Sequence, residues 1–508
     1  METLGFLAQG FAVAFTPLNI ALAVFGCFVG TIIGALPGIG PVNGVAILIP
    51  LAFSLQLDPA SALILLSCVY YGCMYGGRIS SIMLNIPGDE PAVMTCLDGY
   101  PMAQQGKAAE ALAISAWSSF VGSLLATIGL MLFAPLLVRV AIHFGPAEYF
   151  ALYVLAFATI GGISGGNPAK SLLAAAVGLA LGTVGLDPQS GVPRYTLGMF
   201  ELYDGFNPIV AIVGLFAISE VLLLLEQDHA EVKARTIVVN KAFVSMREVL
   251  ATTGATLRGS VLGFIAGVLP GAGASLGAFL AYTFEKRYSD RNGTFGFGDP
   301  RGVAAPEAGN NAAAGGALVP MLSLGVPGSG TTAVLLALLI SLNITPGPLL
   351  FQNEPDIVWG LIASLFFANF VLLAMNLPMV GLFTRMLAMP LWALMPFVVM
   401  ISFVGIYSIN HSPFDLLVML GFGLFGYALR KLDIPLVPIV LGLLLGRAME
   451  NSFRRALSIS GGDYGILLGS GISITLYLMT AALLLTALYL AVRKRRAMPE
   501  PLPTDASD

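Results

Sequence analysis

The chain has 508 residues, 57% of them hydrophobic and only 10% charged, with a net charge of −4. An average soluble domain carries roughly 25% charged residues, so the composition excludes a soluble globular protein and a nucleic-acid-binding surface. It defines a polytopic protein of the lipid bilayer, in which charge is too sparse to indicate partners.

The stretch Met1–Gly10 has no Lys or Arg ahead of its apolar run, so no cleaved signal peptide is expected. A span needs about 20 apolar residues to cross ~30 Å of hydrocarbon, which gives room for about a dozen crossings. Apolar segments run over 17–36, 41–56, 60–76, 107–142, 147–165, 168–186 and 207–225. Cys27, Cys68, Cys73 and Cys96 lie in or beside these segments without a CxxC pair, and read as packed thiols. The polar stretch 226–256 follows, with Glu226, Asp228, Glu231, Lys233, Arg235, Lys241, Arg247 and Glu248. Its four Lys/Arg residues make it a cytoplasmic linker between two halves. Apolar segments resume at 257–269, 271–284, 306–322, 328–344, 355–380, 388–410, 412–429, 432–449 and 464–492.

Two short patterns occur once in each half. Gly34-Ala35-Leu36-Pro37-Gly38-Ile39-Gly40 returns as Gly267-Val268-Leu269-Pro270-Gly271-Ala272-Gly273, with five of seven positions identical. Leu84-Asn85-Ile86-Pro87-Gly88 is matched by Leu324-Gly325-Val326-Pro327-Gly328. Pro37 and Pro270 are 233 positions apart and Pro87 and Pro327 are 240 apart, as expected of one duplicated unit with a small insertion. Pro and Gly remove or weaken backbone hydrogen bonds. In hydrocarbon such a break survives only where protein buries it or where it lines a wet cavity. Paired breaks in two halves are the sequence signature of a transporter's binding site.

The expected fold is an all-α polytopic membrane protein with two internally repeated halves, each with a re-entrant hairpin and a broken helix. The halves cover 1–225 and 257–492, the second with extra C-terminal helices, and a polar tail occupies 493–508. The tail cluster Arg493-Lys494-Arg495-Arg496 and the loop 285–301, with Lys286, Arg287, Arg291 and Arg301, both favour the cytoplasm. Segments 257–269 and 271–284 are each too short to span, so they form a hairpin that turns at Pro270-Gly271 and leaves on its side of entry. By analogy the first copy turns at Pro37-Gly38. Arg454 and Arg455 precede the last span and conflict with a cytoplasmic C-terminus unless Gly461-Gly462, Gly465, Gly469 and Gly471 interrupt it. Parallel and inverted arrangements of the halves both remain open.

Taken together, Gly34–Gly40, Tyr75-Gly76-Gly77, Leu84–Gly88 and Leu97-Asp98-Gly99-Tyr100-Pro101-Met102-Ala103 resemble the TctA family. This is the large membrane subunit of the bacterial tripartite tricarboxylate transporters. Gly302-Val303-Ala304-Ala305-Pro306-Glu307-Ala308, Asn310-Asn311 and Leu324–Gly330 extend the resemblance through the second half, so that it covers about 17 to 490. The resemblance implies secondary active uptake of a carboxylate across the inner membrane, driven by an ion gradient. It also implies a small membrane subunit and a periplasmic solute-binding protein as partners. Arg78 stands where the pattern has a small hydroxyl residue and Gly309 where it has Ala, and Arg78 puts the substrate's identity in doubt.

Pro37, Gly38, Gly40 and Asn43, with Gly271, Gly273 and Ser275, read as two tips whose half-helices aim free amides at an anion. The bland reading is a pair of kinks that let helices pack closely. Ser81, Asn85 and Gly88 are expected to face Gly328, Ser329, Thr331 and Thr332, where Ser329 is also a plausible N-cap. Pro306-Glu307 with Asn310 and Asn311 reads either as a helix start or as amides on substrate or cation. Arg78 is either a bidentate donor to a substrate carboxylate or a snorkelling side chain. Asp98-Gly99-Tyr100-Pro101 reads as an interfacial turn.

Sodium is favoured over a proton as coupling ion, because Glu220 and Asp415 sit near segment ends and Glu307 opens a helix. Asn43, Asn310 and Ser329 are its candidate neighbours. Gln105-Gly106-Lys107-Ala108 is not a phosphate loop. His143, His229 and His411 lack metal spacing, no nucleophile motif is present, and no cofactor is expected. Two other classes fit the same breaks: an anion channel with a glycine-lined filter, and a membrane-embedded enzyme acting on an anionic lipid precursor.

Overall fold

The computed structural model describes residues 2–163, 168–226, 245–271, 273–386 and 395–497, so most of the expected linker (227–244) and the tail from 498 lie outside it. The first helices are α1 (Glu2–Ala14), α2 (Pro17–Ala35), α3 (Gly40–Ser54), α4 (Pro59–Leu84), α5 (Val93–Gln104) and α6 (Ala108–Ala141). Thr-Pro and Asp-Pro pairs set two of the starts. Thr16 accepts from the Asn19 amide and Asp58 from the Ser61 amide, with Pro17 and Pro59 at the first helical positions. Next come α7 (Pro146–Ile163) and α8 (Pro168–Gly182). A small antiparallel ribbon, β1 (Gly185–Leu186) with β2 (Pro193–Arg194), pairs Gly185 with Arg194. A single rod then runs through α9 (Pro208–Ile212), a π-helical segment Val213–Ile218 and α10 (Ser219–Glu226).

The second part holds α11 (Met246–Val268), α12 (Gly273–Ser289), α13 (Pro300–Leu324) and α14 (Gly330–Ser341). After them come α15 (Leu350–Asn353), α16 (Pro355–Asn376), α17 (Val380–Met386), α18 (Met395–Asn410), α19 (Pro413–Lys431) and α20 (Val437–Ile459). A 3₁₀ turn at Tyr464–Leu468 precedes α21 (Gly471–Ala497), so Gly461 through Gly469 do separate α20 from the last helix. Among the described residues, seven helices are long and apolar enough to cross a membrane. Others are too short, α3 at 15 residues and α14 at 12, or about 22 and 18 Å.

Two boundaries differ from expectation. α11 starts at Met246, not 257, and its 23 residues reach about 34 Å, enough to cross alone. The polar residues that mask it are satisfied within the helix. Ser245 and Glu248 form a capping box, while Thr252, Thr256 and Ser260 donate to carbonyls one turn back. Likewise Pro306-Glu307 does not open a helix. α13 begins at Pro300, where Asp299 accepts from the Arg301 amide, and Glu307 lies two turns inside.

α4 and α13 form the centre, buried from Ala60 to Met83 and from Gly302 to Leu324. α2 lies on α4 and α11 on α13 through glycines spaced four apart. A Cβ on Gly30 would come within 2.3 Å of the Val69 carbonyl oxygen, and one on Gly34 within 2.1 Å of that of Cys73. A Cβ on Gly263 would sit 2.1 Å from the Gly309 oxygen, and one on Gly267 2.2 Å from that of Ala313. Such approach brings backbones into van der Waals contact where hydrocarbon supplies no hydrophobic drive.

The backbone of the two breaks coincides. Leu36 (φ −77°, ψ 122°) and Leu269 (φ −73°, ψ 120°) each leave the helix extended. Gly38 and Gly271 follow at φ 84° and 76°, values that a side chain rarely adopts. Asn85 and Gly325 close α4 and α13 in the left-handed region, at φ 59° and 70°.

Candidate functional site

A cleft of about 1150 Å³ lies between the breaks. Gly38–Asn43, with Gly271, Gly273, Ala274 and Ser275, contribute the two tips; Asp89–Pro91, Val93 and Met94, with Pro327 and Ser329–Thr331, the two turns; and Asp433–Pro438 the junction of α19 and α20. The first residues of α3, α5, α12, α14 and α20 all line it. Each helix start carries about half a positive charge on amides without intrahelical partners. α3 and α20 have no side-chain cap and leave amides there for water or a ligand, whereas the first amides of α5 bond to the Glu90, Pro91 and Ala92 carbonyls.

The two turns present matching caps of different charge. Asp89 Oδ1 accepts from the Ala92 amide (3.0 Å), as Ser329 Oγ accepts from the Thr332 amide (3.2 Å), 240 positions on. A Cβ on Gly40 would lie 3.7 Å from Asp89 Cβ, and one on Gly273 3.9 Å from Ser329 Cβ. The remaining oxygen of Asp89, Oδ2, is buried and has no partner. Tips and turns are also bonded together: Gly273 N–H donates to the Gly328 carbonyl (3.2 Å), and Ser275 Oγ donates to Glu90 across the halves (3.1 Å).

Asn43 is held by charge. Its Nδ2 donates to Glu220 (3.0 Å), its Oδ1 accepts from Arg430 (3.1 Å), and Arg430 pairs directly with Glu220. The π-helical segment before Glu220 places Phe216 in the cleft lining and Glu220 against Arg430. Such segments recur at functional sites. Arg430→Ala leaves Glu220 half-buried without a counter-charge. Under the uptake function that the sequence resemblance implies, the rate is expected to fall at least about tenfold, with Arg430→Lys intermediate because the fork to Asn43 and Glu220 is lost. Equal uptake at equal protein level would show that the triad does not serve the cleft.

The structure divides the expected site residues. Gly38, Gly40, Asn43, Gly271, Gly273, Ser275, Ser329 and Thr331 line the cleft together. Pro37, Gly88, Gly328 and Thr332 stand behind it as framework: a Cβ on Gly88 would strike the Gly34 oxygen at 2.3 Å, and Thr332 completes the Ser329 cap. Ser81 donates to the Gly77 carbonyl (2.9 Å), and Asn85 is the exposed end of α4. Arg78 neither enters the cleft nor snorkels. It is 2% exposed and donates to Asn376 Oδ1 at 2.9 Å. Asn310 and Asn311 are buried on α13, and Asn311 donates to the Glu307 carbonyl. Asp98 is buried inside α5 rather than at an interfacial turn.

Glu90, Arg430, Glu220 and Asp433 are additions that sequence reasoning missed. Asp89 had a signal, since it occupies the position that Ser329 holds in the second copy. Arg430 had none, because a basic residue at a helix end is commonplace.

Broken helices around a polar cleft, in a chain of many apolar helices, are the construction of a membrane transporter. The family described as the tripartite tricarboxylate transporter TctA family matches residues 20–441, and the chain belongs to that family of transporters, not of enzymes. An uncharacterized 52.8 kDa protein of the TAR-I ttuC' 3'region of Agrobacterium vitis is 39% identical over 496 residues, 98% of each chain. An uncharacterized protein of the TAR-II ttuC' 3'region of the same organism is 38% identical over 234 residues, 46% of this chain and 97% of the relative. No solved structure matches.

Proposed function

We propose that the cleft binds a tricarboxylate or related small carboxylate, and that the chain is the permease subunit of an ion-coupled, secondary active uptake system. The carrying observation is the mismatch between its backbone and its side chains. Five helix starts supply a positive field, with uncapped amides at α3 and α20, while Asp89, Glu90 and Asp433 outnumber the lone, already paired Arg430 in the lining. A multiply charged anion is drawn by the amides and opposed by the acids, so a cation must enter with it. Sodium is the favoured ion, with Asp89 and the hydroxyls of Ser329 and Thr331 as oxygen ligands of the type it takes at broken helices. The matched breaks support two related halves whose tips move against the remaining helices to alternate access. The family supports a small membrane subunit and a periplasmic binding protein as partners. It also supports the inner membrane as location, and the basic cluster Arg493-Lys494-Arg495-Arg496 supports a cytoplasmic C-terminus.

Citrate uptake into proteoliposomes, with the small membrane subunit and the binding protein present, tests this reading. An inward sodium gradient is expected to accumulate citrate at least about tenfold above the outside, and Ser329→Ala to lower the initial rate by about the same factor. Equilibration without accumulation would identify a channel. Accumulation driven by a proton gradient in sodium-free medium would remove sodium.

A further inference from the structure

A second polar region lies outside the cleft lining, within the helix core. α4 contributes Tyr71, Tyr75 and Arg78; α6 contributes Ser119, Ser123 and Thr127; α13 contributes Glu307 and Asn311; α16 contributes Asn369 and Asn376. All ten are at most 2% exposed. Their spacing along each helix is three, four or seven or more residues, which puts them on one face. From Ser119 to Thr127 the seam runs about 12 Å.

At one end Glu307 Oε1 accepts from Thr95 (2.5 Å) and Oε2 from Ser119 (3.0 Å). Arg78 reaches Ser119 Oγ at 3.5 Å, not the carboxylate itself. Arg258 and Glu285, by contrast, close two direct contacts of 2.8 and 2.7 Å. Arg78 and Glu307 lie in each other's field but stay one hydroxyl apart. Arg78 keeps a neutral partner in Asn376 and stacks 5.1 Å from the Tyr75 ring centre. Its charge is therefore held whether or not Glu307 is ionised.

The seam is also short of partners. Arg78 Nε, the Tyr71 and Tyr75 hydroxyls and Asn369 Oδ1 are buried with no hydrogen bond. Orphaned buried groups are rare, and several in one seam mark a place for internal water. Thr127 and Ser123 lie beside the two tyrosines, and Asn369 Nδ2 donates to Thr127 at 3.3 Å.

We propose that Glu307 is a proton-binding site of the transport cycle, and that the seam from Ser119 to Asn369 holds the water that serves it. Thr95 ties it to the cleft, since the preceding Val93 and Met94 line that space. In the loading step a hydronium loses a proton and becomes water, while the Glu307 carboxylate gains an O–H bond and becomes a neutral acid. The protonated acid can donate to Ser119, and Arg78 stays on Asn376. A permanent ion pair would have been built like Arg258–Glu285; the inserted hydroxyl lets the proton come and go without breaking a direct contact. The other ionisable groups around Glu307 are Asp89 at the turn after α4 and Cys96 on α5, while Tyr75 of α4 lies in the field of Arg78. Asp98 of α5 is committed to loop amides and Tyr282, and Arg258 of α11 to Glu285 of α12. α6 brings only hydroxyls.

The proposal rests on the transport reading and adds a proton to its cycle. The test compares net citrate uptake with citrate exchange in the same proteoliposomes, because exchange needs no net ion movement and shares citrate's own titration. In the wild type the ratio of net uptake to exchange is expected to rise about threefold or more from about pH 8 to about pH 6. Glu307→Gln is expected to keep exchange within about twofold and to flatten that ratio. Ser119→Ala, which leaves both charges, is expected to keep exchange and displace the profile along the pH axis. A wild-type profile in both variants overturns the proton site. So does joint loss of exchange and of citrate's protection against thermal unfolding in both, which would mark a structural pair. Absence of wild-type citrate transport would instead strike the cleft reading.

Discussion

Asp98→Ala is expected to destabilise the folded protein more than any cleft substitution. Asp98 is fully buried, and its Oδ1 accepts from three amides of the loop after α12: Gly296 (2.8 Å), Gly298 (3.0 Å) and Asp299 (2.8 Å). Its Oδ2 accepts from the Tyr282 hydroxyl at 3.0 Å. One carboxylate on α5 thereby fixes the loop that launches α13, the central helix of the second part. Hydrogen bonds to a charged group are worth about 1.5–3 kcal/mol each, and some of the freed amides can turn to water, so the net loss is about 4 kcal/mol. Asp98→Asn retains an acceptor oxygen and should lose about half of that. Melting of the detergent-purified protein, with proteolysis mapped over 290–299, checks the ranking. Alanine and wild-type proteins that melt together with the loop equally resistant would show that the clamp carries no weight. The site tolerates no bulk either, since a Cβ on Gly302 would meet Asp98 Oδ2 at 2.0 Å.

The clamp also shows where sequence reading reaches its limit. Proline and glycine announce themselves, because they act on the backbone wherever they stand; hence the breaks at Leu36–Gly40 and Leu269–Gly273 were legible, as were eight of the cleft residues. A polar side chain in an apolar run says only that it must find a partner. It does not say which helix supplies it. Arg78 found Asn376, almost 300 positions away, and Asp98 found a loop some 200 positions on. The start of α11 was hidden by hydroxyls that satisfy themselves on their own helix, which makes a helix look like a linker. Asp89 was hidden by the opposite effect. It breaks the identity of the two copies at a point where the copies share geometry, and a search for sameness passes over it.

That asymmetry gives the cleft a direction. Asp89 and Ser329 cap equivalent turns over Gly40 and Gly273, yet one carries a charge and the other does not. The α14 side presents hydroxyls, whereas the α4 side presents a carboxylate. In the function we propose, these matched turns become an anion side and a cation side, as coupled binding needs. Tyr70 lies between them, beside Ser329 and within the field of Asp89.

Gly34→Val and Gly267→Val are expected to reduce folded protein in the membrane by more than about tenfold, whereas Gly38→Ala should fold. At Gly34 and Gly267 any Cβ falls 2.1–2.2 Å from a carbonyl oxygen of α4 or α13, and only backbone can yield. Each helix pair is joined by such contacts at four-residue intervals, so one valine separates the pair along its length. Gly38 has nothing within 4 Å of an added Cβ, and its φ of 84° costs alanine about 1–2 kcal/mol of strain. That penalty falls on the tip, where it alters the aim of the α3 amides without prying helices apart. Gly38→Ala should therefore reach the membrane at near wild-type level and transport poorly. Fluorescence-detected size exclusion on the three variants, alongside citrate uptake for the third, separates the two roles of glycine in one motif. Folded Gly34→Val at wild-type yield would mean that α2 does not need its contact with α4, and the tip's position would then require another support.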